Sequence, residues 1–247
     1  MITPPTSSRL QTPESFNPVP AMKLPSFILA LALLLISATA PARTIDWGSA
    51  VGDSILKSNG LALDDSFVFE LGTFGSFVPS EANLDQWQAN WKIFDRLLAP
   101  ALNGWDSALG FFDGSATLQT NGTSSHAPPL PANTFAQGEQ AYIWVYNGFT
   151  IDALTEWALV TNNSLDGNPL DDWLMPAHAD QTALPLDWRL SNATQVPFGG
   201  LNDVEGPGDY SVTPPSFELQ THVVPEPASA LLVGLATFVL RCRRRRR

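Results

Sequence analysis

Ala141-Tyr-Ile-Trp-Val-Tyr146, closed by Asn147-Gly148, is the stretch on which the fold class turns. A two-residue period puts Tyr142, Trp144 and Tyr146 on one face and Ile143 and Val145 on the other. Aromatic and β-branched residues ending at an Asn-Gly turn read as a strand. The same signature recurs on either side. Phe67-Val-Phe-Glu-Leu71 alternates Phe67, Phe69 and Leu71 against Val68 and Glu70, and stops at Gly72. Gly114 to Thr120, Trp157 to Thr161 and Phe217 to Val223 are further strand candidates.

One segment has a different period. After Pro79, Ser80 is placed as an N-cap and Glu81 falls in the first turn, where the helix dipole favours an anion. Leu84, Trp87, Trp91, Phe94 and Leu98 follow at spacings of three and four, an apolar stripe that predicts a helix ending before Pro100 and Asn103-Gly104. The expected fold is mainly β: an antiparallel β-sandwich, jelly-roll-like, with one packed amphipathic helix. Hydrophobic residues at 44% of the 247-residue chain supply enough core for it.

Charge excludes one class of function. Between Arg43 and Val224 there are 22 acidic residues and 5 basic ones, a net of −17. Binding to a phosphate backbone draws mainly on Lys and Arg, so no nucleic-acid partner is expected. The basic residues gather instead at the end of the chain, as Arg241, Arg243, Arg244, Arg245, Arg246 and Arg247.

Both ends read as targeting segments. Residues 1–21, with five prolines, have no hydrophobic period and are expected to be a disordered upstream extension, with Met22 as the start. Residues 22–42 combine Lys23, the apolar run Phe27 to Ile36 and small residues ending Ala40-Pro41-Ala42, the plan of a secretory signal peptide cut before Arg43. Residues 43–224 form the exported β-rich domain. Residues 225–247 open with Pro225-Glu226-Pro227, continue with the uncharged Ala228 to Leu240 and close on the arginines. Thirteen residues make a helix of about 20 Å, short of the roughly 20 residues that a stable span needs. The arginines hold that end on the cytoplasmic side. The expectation is therefore a transient insertion through a short C-terminal hydrophobic helix.

The order of Pro225-Glu226-Pro227, short apolar helix and arginine run resembles the PEP-CTERM sorting signal. The resemblance implies export by a Gram-negative bacterium and recognition by an exosortase, a membrane cysteine transpeptidase. It also implies removal of the helix and tail, with delivery of the body to the cell surface or an exopolysaccharide matrix. The partners so implied are the exosortase and the secretion machinery. Cys242 is not a catalytic residue under this resemblance, because the reactive cysteine belongs to the processing enzyme.

Within the exported domain, chemical motifs fail one by one. Gly52-Asp53-Ser54 resembles the start of the GDSL hydrolase motif, whose serine needs a downstream Asp-x-x-His. Here the residues at that spacing are Thr123 before His126, Met175 before His178 and Leu219 before His222. Three scattered histidines and no cysteine before Cys242 predict no zinc site, no other metal and no cofactor. The acidic run from Asn162 to Asp172 has calcium-loop oxygens, but in an EF-hand frame its first position lacks a carboxylate and its twelfth is Trp173. Trp47, Trp105, Trp173 and Trp188, beside polar or turn residues, are candidates for glycan contact.

No catalytic residue is assigned. The central domain reads as a structural or interaction module and not an enzyme. One alternative is a carbohydrate-binding module that uses those tryptophans on an extracellular polysaccharide. The other is a secreted glycoside hydrolase with two carboxylates.

Overall fold

The computed structural model describes residues 43–126, 133–163, 172–178 and 184–226. The signal segment, Pro227, the C-terminal apolar stretch, the arginine tail and most of the acidic run after Asn162 lie outside the described residues. The strands in chain order are β1 (Arg43–Gly48), β2 (Ile55–Leu56), β3 (Val68–Thr73), β4 (Lys92–Leu97), β5 (Trp105–Asp106), β6 (Phe111–Leu118) and β7 (Ala141–Tyr146). They continue as β8 (Glu156–Thr161), β9 (Leu186–Arg189), β10 (Gln195–Phe198), β11 (Gly200–Leu201), β12 (Val204–Glu205), β13 (Leu219–Gln220) and β14 (His222–Val223). One α-helical turn, α1 (Trp87–Asn90), interrupts them. The domain is mainly β, as the alternation predicts.

Among the described residues the strands form three sheets, ordered β5-β6-β1-β9, β10-β8-β7-β3-β4 and β12-β11-β13-β2, with β14 also on β8. Two pairs are parallel, β1 with β9 and β2 with β13; the rest are antiparallel. Strand β7 pairs with β3 on one side and β8 on the other, and both of its faces are covered. Ile143 and Val145 join Phe69, Leu71 and Phe94 in a core shared with Ile45 and Trp47 of β1 and Phe112 of β6. Trp144 and Tyr146 enter a second cluster with Phe74, Trp87, Trp157 and Phe198. Edge-to-face rings fill that cluster, Trp144 meeting Trp91 at 5.4 Å and Trp157 at 5.1 Å.

The helix predicted from Ser80 toward Leu98 is corrected. A 3-10 segment, Glu81–Gln86, leads into the single turn α1, and Trp91 then takes an extended conformation. Residues Lys92–Leu97 are strand β4, paired with β3 from Thr73↔Lys92 to Phe69↔Leu97. The local stripe is real as far as Trp87, which is fully buried. Beyond it the β3 pairing and a buried carboxylate on Glu70 compete with helix and win, a tertiary override of local propensity. Asn83 completes the break: its side chain accepts from Ser80 N at 2.9 Å and from Trp87 Nε1 at 2.8 Å, with φ at −136°.

Candidate functional site

Two carboxylates sit fully buried on neighbouring strands, and each takes several donors. Glu70, flanked by Phe69 and Leu71 on β3, lies opposite Arg96 of β4. It accepts hydrogen bonds from Arg96 Nε at 2.6 Å, Trp91 Nε1 at 2.6 Å and Tyr146 Oη at 2.7 Å. Burial, and then the Glu70 charge, push the Tyr146 phenol well above its usual range. An ion desolvated this far is tolerable only when its lone pairs are filled, as here.

Asp95, between Phe94 and Arg96, is the second carboxylate. Its Oδ2 accepts from Trp47 Nε1 at 2.7 Å, its Oδ1 accepts from Arg96 N at 2.8 Å, and His126 Nδ1 lies 3.5 Å from Oδ1. Burial pushes the Asp95 carboxyl up, against the indole hydrogen bond and the nearby imidazole. Gly114 of β6 crosses over this site; a Cβ there would meet Trp47 Nε1 at 2.5 Å, so only glycine permits the approach.

A cleft of about 530 Å³ opens between β4 and β6. Arg96 and His126 line it together with Asn103, Asp113 and Ser115, and Leu98 and Leu102 supply apolar surface. The Asp113 carboxylate is partly neutralised by Arg189 Nη1 at 2.8 Å. The cleft thus mixes donors, acceptors and hydrocarbon, an arrangement suited to holding a small polar ligand.

Trp47 donates to Asp95 at this site, and all four tryptophans proposed for glycan contact are interior. Trp47 and Trp105 are 0% exposed, Trp173 is 1% and Trp188 is 4%. Trp47 and Trp188 are register partners on β1 and β9, while Trp173 stacks on Trp188 at 6.2 Å. The polar neighbours Asp46 and Asp187 belong to the opposite faces of β1 and β9 from Trp47 and Trp188, and other indoles find their polar partners inside the domain. Trp105 Nε1, for example, donates to the Asp64 carbonyl at 3.1 Å. None of the four presents a ring to solvent.

Gly52-Asp53-Ser54 is a turn before β2, with Gly52 at φ 99°, and Asp53 Oδ2 accepts from Ala50 N. His222 is buried between Glu205 Oε2 at 2.6 Å and the Pro207 carbonyl at 3.0 Å. Among the described residues no group of three His, Cys, Asp or Glu side chains could hold a metal ion, and no helix is long and apolar enough to cross a membrane. No family model, curated protein or solved structure matches the chain.

The alternation presents Glu70 only as the polar member of a strand, and His126 is one of three scattered histidines. The apolar stripe places Asp95 and Arg96 in a helix. A usable signal was present: Phe69-Glu70-Leu71 and Phe94-Asp95-Arg96-Leu97 each set a carboxylate inside an aromatic and aliphatic run, and a charge so placed must be buried with partners.

Proposed function

We propose that this is an exported cell-surface or exopolysaccharide-matrix protein sorted by an exosortase, with the domain of residues 43–224 acting as a structural or interaction module and not an enzyme. We read its architecture as a jelly-roll-like sandwich, with β5-β6-β1-β9 packed on the sheet that contains β7. The observation that carries the functional reading is the order of Pro225-Glu226-Pro227, a short uncharged segment and the terminal arginines.

The end of the domain is consistent with it. Val224 is buried and donates its N–H to the Thr155 carbonyl, Pro225 is half-buried and Glu226 is exposed. The motif therefore begins where the packed body stops, so cleavage there removes nothing from the core. A carbohydrate module built on exposed tryptophans loses its basis, since those rings are interior.

Intact mass of the protein recovered from the native cell surface and medium tests the reading. A mass that starts at Arg43 and lacks everything beyond the Pro225-Glu226-Pro227 region is expected, with or without added sugar. A mass that retains Arg247 means a plain anchored protein and ends the exosortase argument. Replacing Arg243 to Arg247 by neutral residues is expected to leave unprocessed or mislocalised chain; normal surface delivery of that variant would contradict the role given to the arginines.

A further inference from the structure

We propose that the cleft between β4 and β6 binds a hydroxylated carboxylate of the acidic-sugar type, with Arg96 and His126 on the carboxylate and Asn103 and Ser115 on hydroxyls. The proposal deepens the interaction-module reading and rests on it.

Two nitrogen-bearing side chains of the cleft approach buried carboxylates. Arg96 gives its Nε to Glu70 at 2.6 Å, and His126 sets its Nδ1 3.5 Å from Asp95. Both carboxylates are 0% exposed. Arg96 is thus hydrogen-bonded at Nε to one buried anion, and His126, mostly exposed, lies within ion-pair range of the other. The guanidinium carries further donors beyond Nε, and the imidazole, when protonated, presents a second N–H away from Asp95. Planar guanidinium donors suit a carboxylate, and pre-orientation lowers the entropy lost on binding. Both residues line the same cleft.

The remaining lining selects for hydroxyls. Among the described residues the Asn103 amide and the Ser115 hydroxyl have no protein partner, and both side chains are exposed. They offer donor and acceptor atoms together, which matches a hydroxyl group. Leu98 at 40% exposure and Leu102 at 97% provide the surface on which the C–H face of a ring can lie. Asp113, held by Arg189, adds an acceptor at the margin. The domain's excess of acidic residues opposes a densely charged polymer. The fitting ligand therefore carries an isolated carboxylate, and its affinity for one residue is weak.

Ligand-observed saturation-transfer NMR tests this on the full chain in a sugar-free detergent, with glucuronate, glucose and acetate as probes. Glucuronate is expected to bind about tenfold more tightly than glucose or acetate. His126→Gln should weaken glucuronate by about fivefold and leave glucose unchanged. Ser115→Ala and Asn103→Ala should weaken both sugars without lowering the unfolding temperature, since both side chains are exposed. No transfer to glucuronate at about 20 mM overturns the proposal. So does acetate binding as well as glucuronate, which marks a simple anion site, or indifference to all three substitutions. A negative result beside a correctly processed mass leaves sorting intact and removes only the ligand. A positive result beside an unprocessed mass does the reverse.

Discussion

Glu70 and Asp64 show how differently two carboxylates can matter in one domain. Asp64 pairs with Lys57 at 2.5 Å, and its own side chain is more than half exposed. The hydrogen bonds from Lys57 and then Ser66 hold its carboxyl at about 2. Solvent screens such a pair, so Asp64→Asn is expected to cost less than about 1 kcal/mol. Glu70→Gln leaves the Arg96 guanidinium facing a neutral amide and strands one of three donors, so a loss of about 3 kcal/mol is expected by chemical denaturation. Equal costs would show that the buried network contributes no more than the surface pair.

Glu139 adds to the acid sensitivity from a less exposed position than Asp64. Burial alone would push its carboxyl up, but hydrogen bonds from Lys92 at 2.8 Å and Thr73 at 2.7 Å hold it below the usual value. A depressed folded value stabilises above the unfolded value, near 4.5, and that stability disappears as pH falls through the folded value. Asp95 acts in the opposite sense, since protonation relieves the cost of its burial. Glu139→Gln should therefore be less stable than the parent at pH 7 and flatter below about pH 4.5 in a series of unfolding temperatures. Parallel curves would remove Glu139 from that role.

Among the secondary-structure elements, the strands around β7 were legible because alternation and turn residues agree with their burial. The segment after Trp87 was not, because a helical stripe and a strand can share the same apolar positions over a few residues. What decides between them is Glu70, on a different strand, and no local window contains it. The bulge between Leu71 and Gly72 records the fit of β3 to β4. A Cβ on Gly72 would meet the Lys92 carbonyl at 2.3 Å and the Trp91 ring at 2.7 Å. Gly72→Ala is expected to cost about 2 kcal/mol, with a blue- or red-shifted indole emission reporting the displaced Trp91. Parent-like stability would mean that the bulge has room to relax. The candidate cleft was illegible for the same reason as β4: its polar residues come from Arg96, Asn103, Ser115 and His126, and only the β4 and β6 backbones bring them together.

For the whole molecule, the position of the last strands sets where the chain can be cut. His222 and Val224 are buried on β8 and its flanking turn, whereas Glu226 is exposed. A chain ending at Glu226 should unfold at the parent temperature. One ending at Thr221 loses two buried side chains and the β14 pairing, and should be destabilised by more than about 4 kcal/mol. Equal unfolding temperatures for the two would show that β14 is dispensable. The parallel contact of β2 with β13 bears on timing. Ser54 donates to Glu218 across 164 residues, and Ile55 lies beside Leu219. A sheet that joins an early strand to one of the last cannot close while the chain is still being delivered. The polypeptide must stay open until its final strands are free, and only then does the slow closure of distant contacts begin. Under the export proposed above, that delay would keep the chain threadable for as long as threading lasts.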